Sequence, residues 1–226
     1  MTEKKLLHVA IIPDGNRRWA RAKGLNAWKG HEQSAQNFRR IIEWCAKEPS
    51  IGTLTIWCFS TENWKRDTKE VEKLMKMLEQ YLIDEAHTFH ESKIRLVHSG
   101  RSDRFTPELK TLLSTLQKET AHYEAFTLNL AIDYGGKDEL LRAMRKLTEA
   151  SDITEESFRT LLDQPTVQDI DLVIRTSGEQ RTSNFFLWQS AYAEWMFHQK
   201  FFPDFLVKDL QECVQDFLKR TRRFGS

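Results

Sequence analysis

Charged and hydroxyl side chains follow three separate apolar runs of this sequence. Asp14 follows the first run, with Arg17 and Arg18 close behind it, and similar clusters follow two later runs at residues 60–66 (STENWKR) and 175–183 (RTSGEQRTS). Guanidinium and hydroxyl groups bind multi-oxygen anions such as diphosphate. A carboxylate among them is expected to hold Mg²⁺, which proteins bind through one or two carboxylates together with substrate phosphate oxygens.

Each of these segments has an ordinary structural interpretation when it is taken alone. The turn DGNRR at 14–18 could start a helix whose arginines are solvated, and STENW at 60–64 could combine a serine N-cap with a core tryptophan. His31, which follows Gly30, is of a type more often found as a surface histidine than as a ligand. The recurrence of the pattern after equivalent apolar runs favours one shared anion site.

Six short segments predict the strands that would position these side chains. They are residues 8–13, 53–59, 93–98, 126–132, 170–175 and a sixth near 194–198. The first, second, fourth and fifth are nearly continuous apolar runs, which is typical of strands covered on both faces in a parallel sheet. Ligands of such sheets bind beyond the carboxyl ends of the strands, where the charged segments lie.

Helix start signals lie between these strands. Asp67 stands three residues before Glu70 in a capping arrangement, and apolar residues follow at helical spacing. Residues 106–107 (Thr-Pro) start another helix, residues 153–154 start a shorter one, and an apolar stripe from Leu210 predicts a last one. The alternation predicts an α/β fold with a central, mostly parallel six-stranded sheet flanked by helices.

The composition is that of an ordinary globular protein, and we expect a single domain spanning residues 1–226. The net charge of +1 gives no overall basic field that would indicate nucleic acid. The 3 cysteines form no CxxC pair, so we expect free thiols in a reducing cytoplasm rather than zinc or disulfides. No stretch approaches the roughly 20 apolar residues of a membrane span, so membrane contact would be peripheral.

Motifs that would indicate nucleotide or acyl chemistry are absent from the sequence. It contains no GxxxxGK[ST] loop for nucleoside triphosphates and no GxGxxG turn for dinucleotides. It contains no GxSxG nucleophile elbow either. A phosphatase or another nucleotide-binding α/β protein would share the anion site, but it would leave the tryptophan-rich segment NFFLWQSAYAEW at 184–195 unexplained.

Five segments occur in the form and order typical of one enzyme family. They are HVAIIPDGNRRWA at 8–20, GH at 30–31, FSTENWKR at 59–66, RTSGEQRTSNFFLWQSAYAEW at 175–195 and RRFG at 222–225. Through them the chain resembles the cis-prenyltransferases of the undecaprenyl diphosphate synthase type. The DDxxD motif of all-helical trans-type prenyl synthases is absent. The resemblance implies Mg²⁺-dependent addition of isopentenyl diphosphate to an allylic diphosphate such as farnesyl diphosphate, with each new double bond cis, and a homodimer.

The resemblance also implies roles for individual residues. Asp14 would position Mg²⁺ on a diphosphate, Glu194 would be a second metal ligand, and Asn63 would help proton removal by positioning the proton, because a neutral amide is a poor base. The residues implied in substrate binding are Gly15, Asn16, Arg17, Arg18, Trp19 and His31 around the allylic diphosphate; Ser60, Thr61, Glu62, Trp64 and Arg66 in a substrate-contacting loop; Arg175, Arg181, Thr182 and Ser183 at the isopentenyl diphosphate; and Arg223 and Gly225 in a C-terminal motif that reaches the site of the partner subunit.

Three positions depart from the family pattern. Ala27 stands where many members carry an arginine, so one diphosphate contact is missing, and we expect Arg17 or Lys29 to replace it. Ser34 stands in place of a frequent glycine, and Gln180 stands in place of a histidine found near the metal in some members. These departures bear on the affinity for the allylic substrate and not on the class of reaction.

The growing chain would need an apolar tunnel between the sheet and its helices. The lining candidates are Trp57, Cys58, Leu74, Met75, Leu78, Phe126 and Ile132. Bulky Phe126 and Ile132 favour a shorter product, and our hypothesis is that Phe126→Ala lengthens it. An undecaprenyl-like product, a short- or medium-chain product, and a non-catalytic subunit that binds prenyl diphosphate all stay open, although Asp14 and Asn63 occurring together with the paired arginines favours a catalyst. A long product would leave into lipid, which is the reason to expect peripheral membrane contact.

Overall fold

All six predicted strands are present and form one sheet in the computed structural model, which describes residues 6–147 and 153–220. The strands are β1 (Leu7–Ile12), β2 (Ile51–Ser60), β3 (Ile94–Ser99), β4 (Phe126–Tyr134), β5 (Leu172–Arg175) and β6 (Glu194–Phe197). Their order across the sheet is β3-β4-β2-β1-β5-β6, and every neighbouring pair is parallel. The predicted fold class is confirmed, and all six carboxyl ends lie along one edge.

Three helices of the described residues, at 68–91, 107–120 and 155–159, begin at the start signals read from the sequence. The helices of the described residues are α1 (Asn16–Ala22), α2 (Ala27–Lys47), α3 (Thr68–Glu91), α4 (Pro107–Thr120), α5 (Gly136–Met144), α6 (Glu155–Arg159) and α7 (Val207–Lys219), with 3₁₀ turns at Thr61–Lys65 and Phe202–Asp204. Asp67 accepts hydrogen bonds from two backbone N–H groups of the first turn of α3, and Thr106 and Thr154 cap α4 and α6 in the same way. These caps satisfy N–H groups that a helix leaves unpaired at its start.

Both faces of the sheet are buried, which explains the continuous apolar runs. Val9 and Ile11 of β1 point into a large core formed with α2, α3, α4 and α7. Ala10 and Ile12 point to the opposite face, where residues 185–195 cover them with aromatic side chains such as Phe185. The sheet is therefore covered on both of its faces.

Helices α1 and α2 cross closely beside the carboxyl edge of the sheet. A Cβ atom at Gly30 in α2 would lie 2.0 Å from the backbone oxygen of Asn16, so only glycine permits the approach.

The prediction of free thiols is confirmed, since Cys45, Cys58 and Cys213 are unpaired. Within the described residues, no helix is both long enough and apolar enough to cross a bilayer.

Candidate active site

A cavity of about 390 Å³ opens at the carboxyl edge of the sheet and extends between the sheet and helices α2 and α3. The polar lining residues that were predicted from the sequence are Asp14, Asn16, His31, Ser60, Glu62, Asn63, Arg66, Arg175 and Ser183, and Ser34 and Tyr81 line it as well. Its apolar walls come from Ile56 and Leu130 of the sheet and from α2 and α3. The space combines a charged mouth with a hydrocarbon interior, which suits a molecule with an anionic head and an apolar tail.

Asp14 and two arginines meet at the mouth of this cavity. The carboxylate accepts a hydrogen bond from Arg175 Nη2 at 2.9 Å and another from Arg18 Nη2 at 3.3 Å. Gly15 makes the turn between β1 and α1 with φ +102°, and a Cβ atom there would lie 2.6 Å from Phe201. The carboxylate that follows β1 therefore holds two cations in place, one from α1 and one from the end of β5.

Arg175 is the most enclosed of these cations, with a side chain 5% exposed. Besides Asp14, its guanidinium donates to the backbone oxygen of Arg181 at 2.5 Å and to Ser183 Oγ at 2.6 Å. A buried charge with this many partners is fixed in direction. It presents a preorganised positive group to the cavity.

Glu179 joins the loop after β5 to α1, and sequence reasoning missed it. Its carboxylate accepts from Arg18 Nη1 at 2.6 Å and also pairs with Arg181. Hydrogen bonds from Arg181, and then from Arg18, hold the pKa of Glu179 below its usual range. A carboxylate between these two arginines marks a position where an anion is stabilised. The segment RTSGEQR contains the signal, because its only acid stands two residues before an arginine.

A second group of charges lies on the α3 side of the mouth. Glu70 approaches Arg66 Nη1 at 3.4 Å and Arg17 Nη1 at 3.7 Å. Of the two cations expected to compensate for Ala27, Arg17 lies in this group. Lys29 does not, because it pairs with Glu32 at 2.7 Å on the exposed surface of α2 and does not line the cavity.

His31 lies between these charges and α1. Its Nδ1 is 3.5 Å from the amide nitrogen of Asn16, whose oxygen accepts from Ser34 Oγ at 2.8 Å. Ser34, the departure from glycine, thus helps to orient Asn16. Burial, followed by the charge of Arg66, lowers the pKa of His31 to about 4 from 6.5. His31 is therefore a neutral ring at physiological pH.

We expect His31 to stay neutral between pH 8 and pH 5 in the free protein, and inorganic diphosphate to raise its pKa because the anion offsets the nearby cations. The unfolded chain binds the proton near pH 6.5 and the folded chain near pH 4, so acidification across this window favours unfolding. NMR titration of the histidine rings measures the pKa of His31 in the free protein and with diphosphate bound. The His31→Gln variant identifies the resonance of His31. A free-protein midpoint near 6.5 would contradict this environment.

The turn at Thr61–Lys65 presents Asn63 to the cavity. The side chain of Asn63 accepts a hydrogen bond from the backbone N–H of Ser60 at 3.1 Å, which closes the turn. Glu62 accepts from the amide of Asn184 at 3.1 Å. Thr61 packs so closely that a Cβ atom at Gly135 would lie 2.6 Å from its hydroxyl oxygen. The loop is held from both sides by segments that follow other strands.

Several predicted site residues lie elsewhere in this subunit. Glu194 opens β6 opposite Leu172, at the amino end of parallel strands, and its carboxylate accepts from Arg220 at 2.8 Å. It therefore does not lie beside Asp14 within this chain, and its role as a second metal ligand stays a prediction. Trp19 is buried in α1 with Lys23 over its ring. Arg223 and Gly225 lie outside the described residues.

The remaining predicted binding residues flank the mouth without lining the cavity. Thr182 is exposed in the loop after β5, beside Ser183. Trp64 packs edge-on against Phe59 at 5.2 Å between ring centroids. Both belong to loops whose other members line the cavity.

The donor set at the mouth fits Mg²⁺ in one particular way. Within the described residues, no three acidic, histidine or cysteine side chains come together as a protein-built metal site. Asp14 offers a carboxylate to the cavity, with 28% of its side chain exposed, while Glu62, the other acid of the lining, accepts a hydrogen bond from Asn184. Mg²⁺ commonly binds through one carboxylate, water and substrate phosphate oxygens, and Asp14 fits such a site.

The family model described as "Putative undecaprenyl diphosphate synthase" matches residues 12–225. The chain belongs to this family. The isoprenyl transferase of Helicobacter pylori is 42% identical over 99% of this chain and 98% of its own length. The isoprenyl transferase of Aquifex pyrophilus is 44% identical over 96% and 95%.

Two solved structures share the fold of this isoprenyl transferase. Lavandulyl diphosphate synthase from Lavandula x intermedia, in complex with dimethylallyl diphosphate, superposes with a TM-score of 0.92 at 33% identity, covering 97% of this chain and 98% of that one. A "probable undecaprenyl diphosphate synthase" from Campylobacter jejuni gives a TM-score of 0.83 at 31% identity over 98% and 99%. The resemblance that the motifs predicted is confirmed, and the protein is an enzyme of isoprenoid chain synthesis.

Proposed function

We propose that this isoprenyl transferase condenses isopentenyl diphosphate with an allylic diphosphate such as farnesyl diphosphate and depends on Mg²⁺. The product would be a Z-polyprenyl diphosphate. The observation that carries the proposal is Asp14, clamped by Arg18 and Arg175 at the mouth of a cavity with apolar walls. A diphosphate head would lie among the arginines and the hydrocarbon tail would lie between the sheet and helices α2 and α3.

The reaction would begin when the bond between the allylic carbon and the diphosphate oxygen breaks and its electron pair leaves with the diphosphate. Mg²⁺ bound at Asp14 would supply positive charge to that leaving group. Arg18, already fixed by hydrogen bonds to Asp14 and Ser177, would meet the growing negative charge without rearranging. Because this charge is larger in the transition state than in the bound substrate, such groups accelerate the step rather than merely tighten binding.

The terminal carbon of the isopentenyl diphosphate double bond would then attack the allylic carbon, which leaves a cation on the methyl-bearing carbon. A proton would leave from the CH₂ group on the diphosphate side of that cation, and the new double bond would form there. The second diphosphate would be held by the end of β5 and the loop after it, through Arg175, Arg181, Thr182 and Ser183. Asn63 would position the departing proton for a diphosphate oxygen or a water molecule. Holding both substrates in one geometry contributes through orientation, so small displacements would be costly.

Product length and assembly complete the proposal. The primary candidate is an undecaprenyl-like chain. A short- or medium-chain product is the second candidate, supported by the similarity to a synthase that binds dimethylallyl diphosphate. We also propose a homodimer in which Arg223 and Gly225 reach the site of the partner subunit, and peripheral contact with lipid during product release.

The test combines the purified protein with farnesyl diphosphate, radiolabelled isopentenyl diphosphate and Mg²⁺. We expect butanol-extractable label that disappears when EDTA is added, and mass spectrometry of the product gives its carbon number. Binding of diphosphate without any extractable label would instead identify a non-catalytic subunit. Activity that persists in EDTA would contradict the proposed role of Mg²⁺.

A further inference from the structure

The pairing of β2 with β4 is irregular where these strands reach the cavity. Trp57 pairs with Ala131, Phe59 with Ile132 and Ser60 with Tyr134, so the register skips one residue on each strand. The residue skipped on β4 is Asp133, which is fully buried and has φ +54°. Non-glycine residues rarely adopt this backbone conformation, and a bulge of this kind redirects the strand end.

The loop after β3 holds the bulge in place. The backbone N–H of Arg101 donates to the carbonyl oxygen of Asp133 at 3.1 Å. Gly100 permits the approach, since its φ is +123° and a Cβ atom there would lie 2.2 Å from the oxygen of Ile132. Arg104 Nε donates to the Asp133 carboxylate at 2.8 Å, and Nη2 pairs with the other oxygen. A buried carboxylate requires such a partner.

Arg104 also contacts the turn at Thr61–Lys65. Its guanidinium carbon lies 5.1 Å from the ring centroid of Trp64. Trp64 in turn packs edge-on against Phe59, which lines the cavity. The next residue back from Trp64 is Asn63, whose side chain closes the turn onto Ser60. One guanidinium therefore connects a buried bulge to the loop that presents Asn63.

We propose that Arg104 is a positioning residue for the reaction, acting through Trp64 on the 61–65 turn. It does not line the cavity, so it would not touch substrate. Its planar face fixes the indole while its two-pronged contact with Asp133 fixes the guanidinium, and the turn of Asn63 takes its position from that pair. The inference rests on the proposed function, because it assigns Arg104 to the step in which Asn63 positions the proton.

Arg104→Lys separates this role from a structural one. Lysine keeps a positive charge for Asp133 but has neither the planar face nor the fork of arginine. We expect kcat to fall between about tenfold and 100-fold, as for other small displacements of a reacting group, while KM for both diphosphates changes little. The ¹⁹F resonance of Trp64 in fluorotryptophan-labelled protein, assigned with Trp64→Phe, should shift in the variant.

Arg39→Lys is the matched control. Arg39 pairs through Nε and Nη2 with the buried carboxylate of Glu85 and contacts neither Trp64 nor the loop after β3. Its substitution should lower thermal stability as much as Arg104→Lys does and leave kcat unchanged. In a Trp64→Leu background, Arg104→Lys should cause no further loss of kcat, because the two residues act in series.

The outcomes distinguish this inference from the proposed function. If the wild-type enzyme forms no extractable product, the proposed function fails first. If the wild-type enzyme is active and Arg104→Lys matches it in kcat, or if the losses from Arg104→Lys and Trp64→Leu multiply, the positioning role is wrong. An unchanged Trp64 resonance alongside a lowered kcat would also overturn it.

Discussion

Asp14→Asn is expected to lower kcat on the order of 10³-fold while the protein stays folded. Removal of one preorganised electrostatic contact in an active site costs about 10²–10³ in rate. This change removes the carboxylate charge and turns one acceptor into a donor that faces Arg18 or Arg175. It therefore both weakens Mg²⁺ binding and disturbs two cations. Steady-state kinetics over a Mg²⁺ series measures the loss.

A second substitution at the same position separates catalysis from stability. Asp14→Ala also leaves Arg175 without its carboxylate, and breaking an enclosed pair in this way costs about 3–5 kcal/mol at most, less where solvent reaches the site. The melting temperature should fall for both variants and fall further for alanine, because the amide oxygen of asparagine still accepts one of the two hydrogen bonds. Asp169→Asn is the control, because it breaks an exposed pair with Arg159 outside the cavity. If Asp14→Asn keeps a rate close to the wild-type value, the role proposed for Asp14 is wrong.

The fold was predictable from the sequence because its strands are covered on both faces. Val9 to Ile12 are all apolar since successive side chains enter two different cores. The caps at Asp67 and Thr106 were predictable because each side chain caps the helix that directly follows it in the sequence. The irregular end of β4 was not predictable, because the buried Asp133 depends on Arg104 from another loop.

The site could be predicted where the topology of the sheet alone determines which residues come together. Asp14 follows its strand, Ser60 and Arg175 end theirs, and parallel strands bring such residues to one edge. The distance of Glu194 from Asp14 was not predictable, because a motif identifies a family without showing which residues come together in space. Glu179 was missed because its partner Arg18 is 161 residues away and the link exists only in three dimensions.

The depth of the cavity could not be predicted from the sequence either. Leu74, Leu78, Trp57 and Cys58 line it as predicted. Met75, Phe126 and Ile132 were predicted to line it, but they are buried in the core and do not. Alternation along a strand indicates which face a side chain occupies, but not how far a cavity extends beneath it.

Phe126 and Leu130 therefore make a matched pair on one strand. Both contribute to the same face of β4, but only Leu130 lines the cavity, opposite Ile56. Phe126 lies at the amino end of β4 beside Ile94, 2% exposed. We expect Phe126→Ala to cost about 3–5 kcal/mol of unfolding free energy, since it leaves a void in the core. Product length should stay unchanged, contrary to the hypothesis drawn from the sequence.

Leu130→Ala should act differently because the space it opens is continuous with the cavity. A prenyl chain can occupy that space, so the product distribution should shift towards longer chains. Chemical denaturation gives the stability of each variant, and mass spectrometry of the products gives the chain lengths. Longer products from Phe126→Ala would show that the hydrocarbon tail reaches the amino end of β4. Unchanged products from Leu130→Ala would show that the growing chain does not lie against the sheet.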